Sequence, residues 1–414
     1  MSSAPHPPNL NDLHDEQIVA LLRSGAHAHL LSAYFGEQLY RELCHYAKLA
    51  ATRANPQGPV VYVLPGIMGS KLGVTGAHIP HIIWLHPIAI ANGGILELAA
   101  SNRGLHACGV MLPGYLKLKL LLEIAGFRPR FFPFDWRRDL FELGRELLEH
   151  IESSDERNVL VVAHSMGGLV ARAAMTLDTD ARIGKLVQLG APNGGSFAPV
   201  QALRGVYPTV RKIAALDQQH TAEHLARNVF LSLPGLYQML PSPELCEGPD
   251  LFDVRSWPQD ELAPDETLLA HARASRARLC AADERCFVIA GICQETITGV
   301  RLVDNQFEYR VTRNGDGTVP SRLALWPPAN TWYVQESHGP LTNNDTVLAA
   351  VVEILRSSST RLLSRHAPKH DEACTRVSTD RELRQNAVRK VHWESLSLDT
   401  RRRILEPVIS PEFL

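Results

Sequence analysis

The stretch NVLVVAHSMGGLVARAA, Asn158 to Ala174, constrains the fold more than any other part of this 414-residue chain. Its first half is apolar without alternation, which suits a strand buried on both faces of a parallel sheet. The strand meets a sharp turn at His164-Ser165-Met166, and helical periodicity starts at once from Gly168. A side chain at such a turn is lifted clear of the sheet's end, and the residues around it must be small because the turn crowds the neighbouring backbone. Gly167 and Gly168 supply that room, while Ala163, one methyl group larger than glycine, stands at the first small position. A serine ahead of a helix is also an ordinary N-cap. Strand, turn, paired glycines and helix together favour Ser165 as a nucleophile.

The alternation continues on both sides of this segment. PVVYVLPG (59–66) is another apolar run ending in a turn. Further strands are expected within Phe127 to Phe134, Lys185 to Leu189, Cys286 to Ile292 and Thr331 to Val334. Helical periodicity marks Leu116 to Ala125, Leu140 to Ile151, Gly168 to Leu177 and Asn343 to Leu355. This order predicts an α/β fold, a mostly parallel central sheet with helices on both faces. Between about 196 and 264 it stops, and helical pieces mix with apolar turns such as FLSLPGLYQMLPSP. A long irregular insert inside a regular fold reads as a lid or binding element. Residues 1–57 read as an N-terminal helical appendage, 58–358 as the α/β domain, and 359–414 as a tail of polar surface helices.

Acidic and basic residues nearly cancel, 44 against 42, so no charge excess draws the chain to nucleic acid or to an anionic membrane. The seven cysteines are scattered without a C-x-x-C pair, which suggests neither a zinc site nor a disulfide framework. No metal or organic cofactor is expected. The opening residues MSSAPHPPNLNDLHDEQ lack the basic start and apolar run of a signal peptide. No stretch reaches the ~18 uninterrupted apolar residues of a spanning helix. A cytoplasmic protein without a transmembrane segment is the expectation.

A serine hydroxyl needs a base, and the base needs an orienting acid. In folds built around this kind of elbow the chain order is Ser, then Asp or Glu, then His. NGDGTVP places Asp316 in a glycine-flanked turn, and the strand TWYV runs into QESHG, with His338 just past the strand end. N-G-D-G is by itself a common surface turn. Order and placement at strand-to-loop junctions favour Asp316 and His338, with Asp304 and Glu336 as alternative acids. His164 adjoins the nucleophile, but its side chain is expected to point away from Ser165. Attack on a carbonyl also needs donors for the oxyanion. One is the backbone N–H of Met166; the other is an amide of the loop Leu64 to Ser70, where Gly66 and Gly69 permit close approach.

Seven short motifs stand in order between about residues 59 and 356: VYVLPGIMGSKL, FPFDWRRDL, AHSMGG, LGAPNGGS, LPGLYQMLPSP, NGDGTVP and ESHGPL. Together they resemble the lecithin:cholesterol acyltransferase family of α/β hydrolases, which includes phospholipases and phospholipid:diacylglycerol acyltransferases. The resemblance implies an α/β-hydrolase fold with a helical lid and a triad of Ser165, Asp316 and His338. It also implies Ile67 and Met166 as oxyanion donors and a lipid-type acyl ester as substrate. Trp136, in the D-W-R segment, is implied to lie near the site and line an acyl pocket; the other reading is a core tryptophan. The signal peptide and disulfides of the family's extracellular members are not evident here.

The expected activity is that of a serine hydrolase or O-acyltransferase working through an acyl-enzyme, with transient lipid-surface contact through the lid. A general carboxylesterase or intracellular polyester depolymerase would use the same residues. A non-catalytic binding protein of the same fold fits less well, because every triad position is filled.

Overall fold

The computed structural model describes residues 10, 13–74, 81–367, 376–385, 389–393, 396 and 397. Three helices come first: α1 (Asp15–Ser24), α2 (Ala28–Phe35) and α3 (Glu37–Arg53). Strand β1 (Val60–Leu64) is buried along its whole length. Its side chains alternate between two cores, Val60, Tyr62 and Leu64 on one side and Val61 and Val63 on the other. A strand covered on both faces has to be apolar at every position, which is why it reads as a continuous run.

A small antiparallel sheet interrupts at this point. Strands β2 (Ser70–Val74), β3 (His81–Trp84) and β4 (His106–Val110) pair in the order β3-β2-β4, with a short helix α4 (Pro87–Ala91) between the last two in sequence. The alternating pattern then resumes as α5 (Leu112–Ile124), β5 (Arg128–Phe131), α6 (Leu140–Ser153), β6 (Val159–His164), α7 (Met166–Leu177) and β7 (Ile183–Leu189). The insertion follows, with α8 (Ala198–Leu203), α9 (Pro208–Leu216), α10 (Ala222–Asn228) and α11 (Pro234–Tyr237) among irregular turns, and then α12 (Glu266–Arg278). Strand β8 (Cys286–Gly291) returns to the sheet. Next come β9 (Thr296–Val303), β10 (Gln306–Thr312), α13 (Ser321–Ala324), β11 (Asn330–Val334) and α14 (Asp345–Ser357).

The central sheet has six strands in the order β5-β1-β6-β7-β8-β11, all parallel. Helices α5 and α14 cover one face, packing Leu118, Leu122, Val347, Val351 and Ile354 against Val61, Val162 and Ile289. Helices α6 and α7 cover the other, with Leu143, Leu147, Leu169 and Val170 against Tyr62, Val161 and Leu186. Each such buried side chain is worth roughly 1.5–3 kcal/mol of transfer free energy. Parallel sheet, helices on both faces and helical insertion make this an α/β-hydrolase fold. Among the described residues no helix is long and apolar enough to cross a membrane.

The three N-terminal helices share a core with α5, in which Ile18, Leu22, Leu31 and Leu43 meet Leu112, Tyr115, Leu116 and Leu120. Helix α5 is therefore enclosed on two sides, which explains why LPGYLKLKLLLEI is apolar nearly all round. Its buried lysines are paired: Lys117 with Glu42 (2.7 Å) and Asp345 (2.8 Å), and Lys119 with Asp15. The described part of residues 359–414, expected as surface helices, holds a strand as well as a helix. Arg376–Thr379 forms a strand, β12, that extends the antiparallel sheet β12-β10-β9, and only then does a short helix, α15 (Asp380–Gln385), follow. Most of the rest of that tail lies outside the described residues.

Candidate active site

Ser165 sits between the last residue of β6 and the first of α7, with φ 52° and ψ −125°. A non-glycine residue in that region is strained, and strain of this kind persists only where the surroundings over-determine it. Here the strand and the helix fix both ends of the turn. The glycine after the turn is required by space: a Cβ on Gly167 would lie 2.4 Å from the carbonyl oxygen of Pro65. Ala163 fits as the first small residue, fully buried in the sheet.

The structure brings Asp316 and His338 to this turn from the carboxyl ends of other strands. His338 follows β11, and its Nε2 lies 2.9 Å from Ser165 Oγ. Its Nδ1 lies 2.8 Å from Asp316 Oδ2. The other oxygen of Asp316 accepts the N–H groups of Thr318 (2.9 Å) and Val319 (2.7 Å), and the His338 N–H donates to the Asp316 carbonyl at 2.8 Å. Asp316 is thus held at both oxygens, and its loop is bonded directly to the loop of His338. All three side chains are buried, at 5% exposure for Ser165, 2% for His338 and 1% for Asp316.

The alternative acids are accounted for elsewhere. Asp304 is exposed at the tip of the β9–β10 hairpin, where it and Asn305 both have positive φ, the geometry of a two-residue hairpin turn. Glu336 accepts from the Ser337 N–H (2.8 Å) and from Asn344 Nδ2 (2.9 Å). Neither is bonded to His338.

The loop after β1 lies against Ser165. A Cβ on Gly66 would be 2.9 Å from Ser165 Cβ and 3.4 Å from its Oγ, so only glycine lets the backbone come this close. Gly66 to Gly69 forms a turn closed by the Gly69 N–H on the Gly66 carbonyl (3.0 Å), with Met68 at φ 62°. The amides of Ile67, within this turn, and Met166, first residue of α7, have no acceptor among the described residues. A helix's first N–H groups lack intrahelical partners and point outward, ready for an anionic oxygen.

Trp136 is fully buried in the large core, its indole N–H donating to the Ser70 carbonyl (3.2 Å) and its ring edge-on to Trp84. It thereby braces the end of the Leu64–Ser70 loop. The adjoining Asp135 and Arg137 form a buried pair (2.7 Å), and the guanidinium also reaches the carbonyls of Ala99 and Asn102.

Parts of the insertion pack against the segments that carry Ser165 and Asp316. A Cβ on Gly235 would lie 2.6 Å from Met166 Cε, so the LPGLY turn packs against the side chain of the residue after Ser165. Ser196 Oγ donates to the Thr318 carbonyl (2.5 Å), joining the start of the insertion to the loop of Asp316. Burial pushes the Tyr207 hydroxyl well above its ordinary range, beside Thr318 and Asp316.

Three features here have little or no local signal in the sequence. Tyr115, on α5, donates to or accepts from His164 Nδ1 at 2.9 Å and accepts the Gly66 N–H at 2.9 Å. His164 points away from Ser165 as expected, but its Nε2 reaches the His338 carbonyl at 3.0 Å. Gly190, at φ 57°, leaves room for Asp316 and His338, since a Cβ would lie 3.1 Å from Asp316 Oδ2 and from His338 Nδ1. The LGAPNGGS motif contains Gly190 and was its available signal; Tyr115 had none.

A family model described as "PGAP1-like alpha/beta domain" matches residues 111–240, the stretch that carries the elbow and the D-W-R segment. The likeness to the lecithin:cholesterol acyltransferase family rests on the short motifs alone. No curated protein matches the chain in sequence. Among solved structures, the Tle4–Tli4 complex is similar over 73% of this chain and 100% of that chain, at 14% identity and a TM-score of 0.48. The mature lipase BlEst2 of Bacillus licheniformis is similar over 74% and 94%, at 12% identity and TM-score 0.37. The carboxylesterase CesB (YbfK) of Bacillus subtilis is similar over 73% and 85%, at 10% identity and TM-score 0.33. Likenesses this distant say nothing of what the chain acts on, and the chemistry rests on the geometry of its own site.

Proposed function

We propose that the chain is a serine ester hydrolase or O-acyltransferase acting on lipid-type acyl esters. The observation that carries this reading is the hydrogen-bonded line Ser165–His338–Asp316, at 2.9 and 2.8 Å, on a strained elbow. In it, His338 Nε2 takes the Ser165 proton as Oγ attacks the ester carbonyl carbon, and the Asp316 carboxylate stabilises the imidazolium that forms. The amides of Ile67 and Met166 receive the oxyanion. Collapse breaks the acyl–oxygen bond, and His338 returns the proton to the departing alcohol. Water or an acceptor alcohol then attacks the acyl-enzyme, with His338 again as base, and Ser165 is regenerated.

The apolar side chains of the insertion support an apolar acyl group as the preferred substrate. The segment of the insertion against Met166 carries Leu233, Leu236, Tyr237, Met239 and Leu240, all buried. Apolar side chains beside Met166 offer an acyl chain apolar contacts. Trp136 then acts as a brace beside the acyl site.

Product analysis with a phospholipid, with and without a long-chain alcohol, tests the reading. Free fatty acid alone assigns hydrolysis; a new ester assigns transfer. Cleavage of short soluble esters with none of the phospholipid would replace the lipid substrate by a general carboxylesterase. Release that persists in Ser165→Ala would overturn the reading.

A further inference from the structure

Resting on the serine-hydrolase reading, we propose that Tyr115 and His164 are positioning residues that lock the oxyanion loop and the histidine loop into register through one directed chain of hydrogen bonds. The chain has three links, from the Gly66 N–H to the Tyr115 oxygen (2.9 Å), between Tyr115 and His164 Nδ1 (2.9 Å), and from His164 Nε2 to the His338 carbonyl (3.0 Å). All three side-chain and backbone segments involved are buried.

Its direction follows from its two ends. A backbone N–H only donates and a carbonyl only accepts. His164 Nε2 must therefore carry the proton, because a bare nitrogen would face the His338 oxygen lone pair to lone pair. Nδ1 is then the acceptor, and the Tyr115 hydroxyl donates to it while accepting from Gly66. One tautomer and one hydroxyl orientation satisfy every atom. Burial, together with the neighbouring His338, holds the His164 pKa down to about 3, so the chain keeps this form at neutral pH.

This neutrality bears on the chemistry. The rings of His164 and His338 lie 4.9 Å apart between centroids. His338 becomes an imidazolium each time it takes the serine proton, and a second charge at that distance would oppose it. A neutral His164 fixes the base through its backbone without taxing the charge the base must carry. At the other end, Tyr115 holds the Gly66 amide, and hence the turn whose next residue is the Ile67 donor. Tyr115 is itself fixed by the packing of α5 against the N-terminal helices, so these helices support the site they do not touch.

Steady-state kinetics on a soluble p-nitrophenyl ester, paired with the rate of phosphonylation by a fluorophosphonate, test the chain in Tyr115→Phe, His164→Asn and His164→Gln. Tyr115→Phe removes one oxygen from a retained ring. Its kcat and labelling rate are expected to fall about tenfold to a hundredfold, as for a small misplacement of reacting groups, with KM changed less than about twofold. His164→Asn loses the donor to His338 and should match that fall. His164→Gln keeps an amide N–H near the Nε2 position and should recover part of it. Tyr115→Phe at wild-type kcat and labelling rate, or His164→Gln no faster than His164→Asn, would overturn the proposal. A wild type that takes no label would overturn the nucleophile reading and this chain with it; a labelled wild type with unchanged variants overturns the chain alone.

Discussion

Replacing Asp316 by asparagine isolates what the carboxylate does for His338. One oxygen of Asp316 accepts two backbone N–H groups, from Thr318 and Val319, and the other faces His338 Nδ1 at 2.8 Å. An asparagine must keep its oxygen toward the two amides, so its NH2 turns to His338. Nδ1 then becomes an acceptor and the imidazole proton moves to Nε2, the atom 2.9 Å from Ser165 Oγ. A base that already carries its proton cannot take another from serine. The expected loss in kcat is about 10⁴-fold, the size this tautomer error has in such triads, or about 5.5 kcal/mol at ~1.36 kcal/mol per tenfold. Stability should change by only about 1 kcal/mol, since both backbone contacts survive. Ester hydrolysis at neutral pH and urea unfolding measure the two quantities side by side. A loss below about tenfold, or an equal loss in Glu336→Gln, would refute the assignment of Asp316 as the orienting acid.

Other consequences follow from the same contacts. His164 is neutral in the folded state down to about 3, whereas a histidine in the unfolded chain binds a proton near ~6.5. The unfolded state therefore binds the extra proton in that window, so the contribution is complete above it and falls as pH drops toward 3. Between the two values the wild type should lose up to ~1.4 kcal/mol per pH unit more than His164→Gln in urea unfolding; identical slopes would contradict this. Gly66→Ala places a Cβ 2.9 Å from that of Ser165, so kcat should fall by about a hundredfold through displaced reacting groups, and an unaltered kcat would exclude the close approach. Arg204, 1% exposed at the C-terminal end of α8, pairs with Asp260 (2.6 Å) and with the buried Asp380 of α15 (3.0 Å). Arg204→Met leaves Asp380 with Tyr309 (2.7 Å) and the more distant Arg384 (4.0 Å) and should cost roughly 2–4 kcal/mol in thermal or urea unfolding, and a change below about 1 kcal/mol would deny the tail this role in holding the insertion.

The central strands were legible because burial on both faces leaves no polar position in them, as in Val60–Leu64 and Val159–His164. The small sheets were not. His106–Val110 is mostly half-exposed and contains a glycine and a cysteine, and Arg376–Thr379 pairs with β10 across a long stretch of chain. A charged, interspersed tail gives no local sign of that pairing. Ser165, Asp316 and His338 stood out because each lies at a strand end beside glycines or in a short motif. Tyr115 could not, since it sits in a helix that is apolar nearly all round and its hydroxyl meets the site only through the packing of α5. The N-terminal helices likewise look separate in sequence, and only the shared core with α5 joins them to the domain.

The central claim is that Ser165 is the nucleophile. Mass analysis of the intact protein after treatment with a fluorophosphonate, followed by peptide mapping, tests it most directly. One adduct per chain on Ser165, absent from Ser165→Ala, is the expected result. No adduct, an adduct on another residue, or equal labelling of Ser165→Ala would contradict it.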